Sequence, residues 1–371
     1  MSATTCAAPR IVVDSPRGKS NTTPVLSIVV VNYVHWDDTI RLIRDLRKSE
    51  AVRSGRVEIV IIDNNSPYHP IIPRLRRLRG VTLLRWRKNR GFARAVNEAC
   101  RLSRGDWFLL LNPDTTVGPD FLPHLVATLD AWPARAGIVG YGLTNPDGSR
   151  QLSTGRFPDL AGSLARLVLP RSRRKYTAPP TDRVSEVDWV TGCCLLIRRD
   201  CFTDLGGLDT RFFLYYEDVD LCRRARSQGW SVWFDPRAEV THHRPLHRRT
   251  ISAPLRVFTR HALLTYAAKH WGWWTRTALG GILGAEAIVR RAVAWWRGDA
   301  ESAETFALLG DIVRDFRRGD PSTARARLDA VVRRQDRYHA TQPLARDPQP
   351  RSAGPAPRLS GQHSPSCVEP A

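Results

Sequence analysis

The chain has 371 residues, enough for one large domain or two ordinary ones, and its 42% hydrophobic content is enough for a buried core. Its 57 Lys and Arg against 36 Asp and Glu give a formal charge of +21, which points to an anionic partner: nucleic acid, a lipid surface or a phosphorylated substrate. The seven cysteines form no CxxC pair, the first 24 residues hold no apolar run suited to a signal peptide, and nothing reaches the roughly 18 apolar residues of a membrane span. A disulfide framework and a spanning helix are therefore set aside, and a reducing, cytosolic setting is expected.

Residues 1–24 are polar and are expected to be disordered, as is the Pro-rich tail from about Arg337. Between them, "VLSIVVVNY" is a continuous β-branched run of the kind found in strands buried on both faces. "DDTIRLIRDLRKSE" follows with Ile40, Ile43 and Leu46 at helical spacing. Then come "VEIVIIDNNS" (strand), "IIPRLRRLR" (helix), "VTLLRW" (strand), "GFARAVNEACRLS" (helix) and "DWFLLLNPDT" (strand). Such a βαβαβαβ series predicts an α/β fold with a mostly parallel sheet flanked by helices, and ligands collect at the carboxyl ends of those strands. The three ends read Asn32-Tyr33, Asp63-Asn64-Asn65 and Asn112-Pro113-Asp114. No GxGxxG follows the first strand and no GxxxxGK[ST] occurs, so both common nucleotide signatures are missing.

Past Trp132 the pieces shorten: "AGIVGYGL", a turn at "NPDGS", a basic loop "PRSRRKYTAPPTDR", a strand "VDWVTGCCLLIRR", and a strand "GWSVWFDPRAEVTHH". Between the last two lies "FFLYYEDVDLCRRA", where Glu217, Asp218 and Asp220 open a helix whose Leu221 and Ala225 face the core. Acids in a first turn suit the helix dipole. That does not explain the aromatics Phe212, Phe213, Tyr215 and Tyr216 ahead of them, which would suit a sugar-binding floor. From Arg244 to Arg297 ten Lys or Arg accompany one acid, Glu286, and five tryptophans. This helical region is expected either to meet an anionic lipid surface or to pack its tryptophans on the core.

Each polar strand end supports two readings. Asp114 can aim at a divalent cation or close an Asx-turn, and Asp63 can accept a base N3–H or cap a turn. Gly91 would let backbone approach a ligand, with Arg90 and Arg94 able to meet phosphate. His242 and His243, paired at a strand end, are candidates for metal or phosphate contact.

Taken together, "SIVVVNY", "IIDNNS", "NRGFARAVN", "LLLNPDT" and "TGCCLLIRR…GGLDTRFFLYYEDVDLC" occur in the order of glycosyltransferase family 2, and the sequence resembles that inverting, GT-A-fold family over about residues 25–270. It is most similar to bacterial rhamnosyltransferases using dTDP-rhamnose. The resemblance implies a catalytic domain over 25–245, a helical basic region over 246–336 and a tail over 337–371. It implies Asp218 as catalytic base with Glu217 beside it, and Asn32, Tyr33, Asp63, Gly91, Arg94 and Asn112 on the donor. Asp114 and His242 would hold a divalent metal, Mg2+ or Mn2+, on the diphosphate, and Trp189, Phe213, Tyr215 and Tyr216 would face the acceptor. Implied partners are a dTDP- or UDP-sugar donor and a glycan or polyprenyl-diphosphate-linked acceptor in cell-wall or surface polysaccharide synthesis. The implied location is the inner face of the cell membrane, reached peripherally from the cytoplasm. A UDP-hexose or UDP-galactofuranose donor is the alternative within the fold, and a basic nucleic-acid-binding protein is the more distant one. Two positions depart from the family pattern: Asn112 replaces the first acid of a DxD, and Val34 stands where relatives often carry Asn.

Overall fold

The computed structural model describes residues 23–163, 183–244 and 251–341. Most of the N-terminal arm, the basic loop before Arg183 and the tail after Thr341 lie outside the described residues. Four apolar runs form β1 (Leu26–Asn32), β2 (Val57–Asn64), β3 (Val81–Trp86) and β4 (Trp107–Leu111), parallel in the order β3-β2-β1-β4. Every residue of β1 and β2 is buried, because helices cover both faces. Val29 and Val31 join one hydrophobic cluster with residues of the helix Phe92–Leu102, while Ile28 and Val30 join another with Leu42, Ile43 and Leu46. The period-two alternation of a strand thus divides one apolar run between two cores.

The crossovers are α1 (Trp36–Leu46), the short α2 (Glu50–Arg53) and α3 (Ile72–Arg76), and α4 (Phe92–Leu102). Beyond β4 come β5 (Thr115–Val117), α5 (Phe121–Thr128), β6 (Ala136–Thr144), β7 (Arg150–Gln151), β8 (Thr154–Gly155), β9 (Ser185–Glu186), β10 (Trp189–Val190) and β11 (Cys194–Arg198). After α6 (Arg199–Asp204) and α7 (Glu217–Ser227), β12 (Ser231–His242) completes the sheet. β11 lies antiparallel between β4 and β6, β12 runs parallel to β6, and β5 pairs antiparallel with the end of β12.

The strand expected over 187–199 is broken. β10 leaves to pair with β8, and Thr191–Cys193 separates it from β11. The freed backbone is satisfied elsewhere: Thr191 N–H donates to Ser153 O at 2.9 Å, Gly192 N–H to Asp218 Oδ2 at 3.0 Å, and Cys193 O accepts from Asn112 N–H at 2.9 Å.

Four helices follow: α8 (Ala253–His270), α9 (Trp273–Trp296), α10 (Ala300–Arg317) and α11 (Pro321–Thr341). Their buried side chains, among them Val257, Leu279, Leu309 and Leu328, belong to the same cluster as Val29 and Val31. Helix α11 continues past Arg337, where disorder was expected. Its last turns are tied to the sheet, with the Tyr33 hydroxyl 2.6 Å from Asp336 Oδ1 and the Tyr33 and His339 rings edge-on at 5.7 Å. Trp271 packs inward, its indole N–H donating to Pro158 O, whereas Trp273, Trp274, Trp295 and Trp296 are exposed. No helix among the described residues is long and apolar enough to cross a membrane.

Candidate active site

A cavity of about 350 Å³ opens over the carboxyl ends of β1, β2 and β4. Tyr33, Asn64 and Asn112 to Asp114 reach it from the strands, Gly91 and Phe92 from the start of α4, and Gly192 from the break before β11. Phe213, Leu214, Tyr215, Glu217 and Asp218 also line it, with His242 and Arg244, and Leu255 and Phe258 of α8 add apolar lining.

The aromatic stretch is aimed by backbone strain. Tyr215 and Tyr216 both adopt left-handed conformations, at φ 74° and 65°, and α7 starts immediately after them. Such residues cost on the order of 1–3 kcal/mol each and persist only where the surroundings hold them. Here the Phe92 N–H donates to Phe213 O at 2.7 Å, and Gly91, at φ 89°, lets the chains meet, since a Cβ there would lie 2.7 Å from that same oxygen. Asn97 holds the upstream loop, exchanging two hydrogen bonds with the Leu208 backbone.

Glu217 and Asp218, adjacent at the start of α7 just after the left-handed Tyr216, are both buried and both line the cavity. Asp218 is tethered to the break before β11: Oδ2 accepts from Gly192 N–H, and Oδ1 accepts from Val219 N–H at 2.9 Å. Asp220 faces away, fully buried. Rather than serving its own helix end, it pairs with Arg224 one turn on and joins α7 to α8 through Lys269 and His270, all at 2.7–2.8 Å. Burial alone would raise its pKa, but the bonds from these three side chains outweigh that and hold it below the usual carboxylate range.

Asp114 is buried at the turn after β4. Its carbonyl accepts from His243 N–H at 2.9 Å, which brings His242 Nε2 to 3.5 Å from Asp114 Oδ1. On its other ring nitrogen, His242 Nδ1 lies 2.9 Å from the Gln151 side-chain amide, a partner that fixes the ring. One carboxylate oxygen and one imidazole nitrogen at this span fit two ligands of a single cation, at about 2.0–2.2 Å each. Among the described residues no group of three or more His, Cys, Asp or Glu could hold a metal. Asp114 and His242 could thus form part of a ligand set, of the kind completed by substrate phosphates and water.

Several residues read as ligand contacts lie elsewhere. Asn32 and Asp63 are fully buried one layer behind the cavity. Asp63 accepts from Asn32, Ser66 N–H and, at 2.7 Å, Arg85, and burial pushes its pKa up despite these bonds. Arg94 is exposed on α4, away from the cavity. Trp189 is core, its indole N–H donating to Arg156 O, and Tyr216 packs against Tyr266 with ring centroids 5.8 Å apart. Arg94 fails because a helix start presents only some positions to its end; Trp189 and Tyr216 fail because large aromatics are the most useful core fillers nearby.

Other site residues had no local signal. Asn89 accepts from Asn64 and from Gly91 N–H, shaping the loop before α4. Gln335 lines the cavity, and Asp336 beside it accepts from Tyr33, 303 positions away in sequence, and from Asn65 at 3.0 Å. Val34 proves to be a backbone position: it has φ 62°, a conformation Asn tolerates and a β-branched residue does not. Val34→Asn should stabilise the protein by about 1 kcal/mol, read as a higher denaturant midpoint at unchanged slope. An equal or lower midpoint would show that the residue carries no such strain.

The model of the family described as "Glycosyl transferase family 2" matches residues 27–206. A Mycobacterium tuberculosis protein, N-acetylglucosaminyl-diphospho-decaprenol L-rhamnosyltransferase, is 32% identical over 275 residues, covering 68% of this chain and 87% of that one. The chain belongs to glycosyltransferase family 2. This member is also 25% identical over 148 residues to the Escherichia coli rhamnosyltransferase WbbL, covering 40% of this chain and 56% of that protein. In three dimensions it is similar to GalNAc-T7, crystallised with UDP, GalNAc and Mn2+, at a TM-score of 0.50 and 17% identity, covering 68% of this chain and about half (51%) of that one. The fold is GT-A, and the protein is a glycosyltransferase.

Proposed function

We propose that this glycosyltransferase moves L-rhamnose from dTDP-rhamnose to a hydroxyl of a polyprenyl-diphosphate-linked saccharide, with inversion at the anomeric carbon. The observation that carries the reading is one cavity lined by the tethered carboxylate of Asp218 and by the Asp114–His242 pair. The choice of sugar and acceptor draws on the mycobacterial relative, whose name gives an L-rhamnosyl transfer onto a lipid diphosphate.

In this reading Tyr33, Asn64 and Gly91 take the nucleoside end and Asn112 lies beside the diphosphate. Asp114 and His242 would hold a divalent cation, which when bound neutralises charge on the departing diphosphate. Asp218 Oδ2 takes the proton of the acceptor hydroxyl as that oxygen attacks the face of the sugar opposite the nucleotide. Gly192 N–H and Val219 N–H fix the carboxylate so that little reorganisation is needed. Phe213 and Tyr215 border the acceptor side. The apolar wall of Leu214, Leu255 and Phe258 suits the C6 methyl of a 6-deoxy sugar, where a hexose would leave a hydroxyl without a partner.

The test is turnover with dTDP-, UDP- and GDP-sugars against a polyprenyl-diphosphate-linked N-acetylglucosamine. Turnover confined to dTDP-rhamnose is expected. Equal or faster turnover with a UDP-hexose or UDP-galactofuranose would overturn the donor, and turnover only on acceptors lacking the lipid diphosphate would overturn the acceptor.

A further inference from the structure

We infer that the outward face of α9 docks on the surface of an anionic lipid bilayer. Trp274, Gly281, Ile288 and Trp295 recur at seven-residue intervals, with Ala278, Ala285 and Ala292 between them. At 100° per residue these fall on one side of the helix, and all are exposed. The opposite side, with Leu279, Leu283, Ala287 and Ala294, is buried in the protein core. The outward side therefore presents no charged residue over about 32 Å of helix. Trp273, Trp274, Trp295 and Trp296, 57–80% exposed, stand at its two ends. Exposed apolar faces of this extent mark interaction sites.

The chemistry of the rim selects the partner. Arg291 lies at the edge of the apolar face, Arg276 and Arg297 are exposed at the two ends of α9 beside the tryptophans, and none of the three has an acidic partner among the described residues. Glu286, the one acid of α9, is engaged by Arg260 and Arg290 at 2.7 and 2.8 Å. A second copy seated on this face would bring two sets of arginines into one seam. Anionic headgroups would instead neutralise them, with indole rings at the level where tryptophan is favoured. An amphipathic helix of this kind lies in the plane of the interface, and its protein-packed side keeps it from spanning. The face is also linked to the cavity: α8 supplies Leu255 and Phe258 to the cavity wall, and its Arg260 grips Glu286 of α9. The inference rests on the proposed lipid-linked acceptor for its purpose, but its test contains no acceptor, so each can fail alone.

The experiment is flotation of the full chain with vesicles of phosphatidylcholine, with and without phosphatidylglycerol, at low salt, beside size-exclusion chromatography. The chain should float with the anionic vesicles and release at high salt. The triple variant Trp274→Glu, Ile288→Glu, Trp295→Glu should bind at least tenfold less with an unchanged thermal midpoint. Arg276→Ser, Arg291→Ser and Arg297→Ser should each weaken binding roughly fivefold, on anionic vesicles alone. Failure of the unaltered chain to float overturns the inference, as does a triple variant that floats equally well. A dimer that the triple variant dissolves, with no flotation, would assign the face to a second copy instead.

Discussion

Asp218→Asn should lower turnover by about a hundredfold or more, the scale on which a general base acts, with donor affinity little changed. The substituted amide is nearly isosteric, but its one carbonyl oxygen can accept from only one of Gly192 N–H and Val219 N–H, so an unchanged thermal midpoint is the control that the break before β11 and the start of α7 survive. Beyond that one bond it loses the capacity to take a proton. Glu217→Gln, in the same cavity without that tether to the β10–β11 break, should be intermediate. Asp220→Asn should leave donor binding intact and mainly lower stability, because it removes a buried carboxylate that Arg224, Lys269 and His270 share. The pH dependence separates this role further. Asp220 titrates below its unfolded value, so its contribution is present above about pH 4 and fades as pH falls below that. Asp220→Asn should therefore flatten the acid limb of the stability profile. Steady-state turnover, donor titration and urea melts across pH measure all three variants. A fully active Asp218→Asn enzyme would remove the base assignment.

Asp114→Ala should cost on the order of a hundredfold or more in turnover, and His242→Gln about tenfold, since the first removes the one carboxylate of the pair. EDTA should abolish activity and added Mg2+ or Mn2+ restore it. With two protein ligands and no larger acidic or histidine cluster among the described residues, Mn2+ alone should bind weakly. A nucleoside diphosphate should tighten Mn2+ binding, and Asp114→Ala should erase that synergy. Mn2+ titration by electron paramagnetic resonance, with and without nucleotide, reads this independently of turnover. Full activity of Asp114→Ala, or of EDTA-treated enzyme, would exclude the metal role.

The parts of the molecule legible in sequence are those set by short-range periodicity. Continuous apolar runs dictated β1, β2 and β4, since a strand buried on both faces has no polar side to show. The polar residues ending those runs marked where the cavity would open, and acids after an aromatic stretch marked α7. The sequence by itself thus determined the first parallel strands and the end of the sheet where the cavity opens, and its family resemblance pointed to Tyr33, Gly91, Asn112, Asp114, Phe213, Tyr215, Glu217, Asp218 and His242, all of which line that cavity. Only the tertiary structure decided what each polar group pairs with. It broke 187–199 at Gly192 to supply a donor for Asp218 and turned both acids of α7 into one cavity. It buried Asn32 and Asp63 behind Arg85 and Ser66 and gave Trp189 and Tyr216 to the core. It also laid α11 against Tyr33 and Asn65 from the far end of the chain. Periodicity reports which face of a segment is apolar, whereas the partner of a buried hydrogen-bonding group is chosen by whichever distant backbone or side chain the packed fold brings within about 3 Å of it.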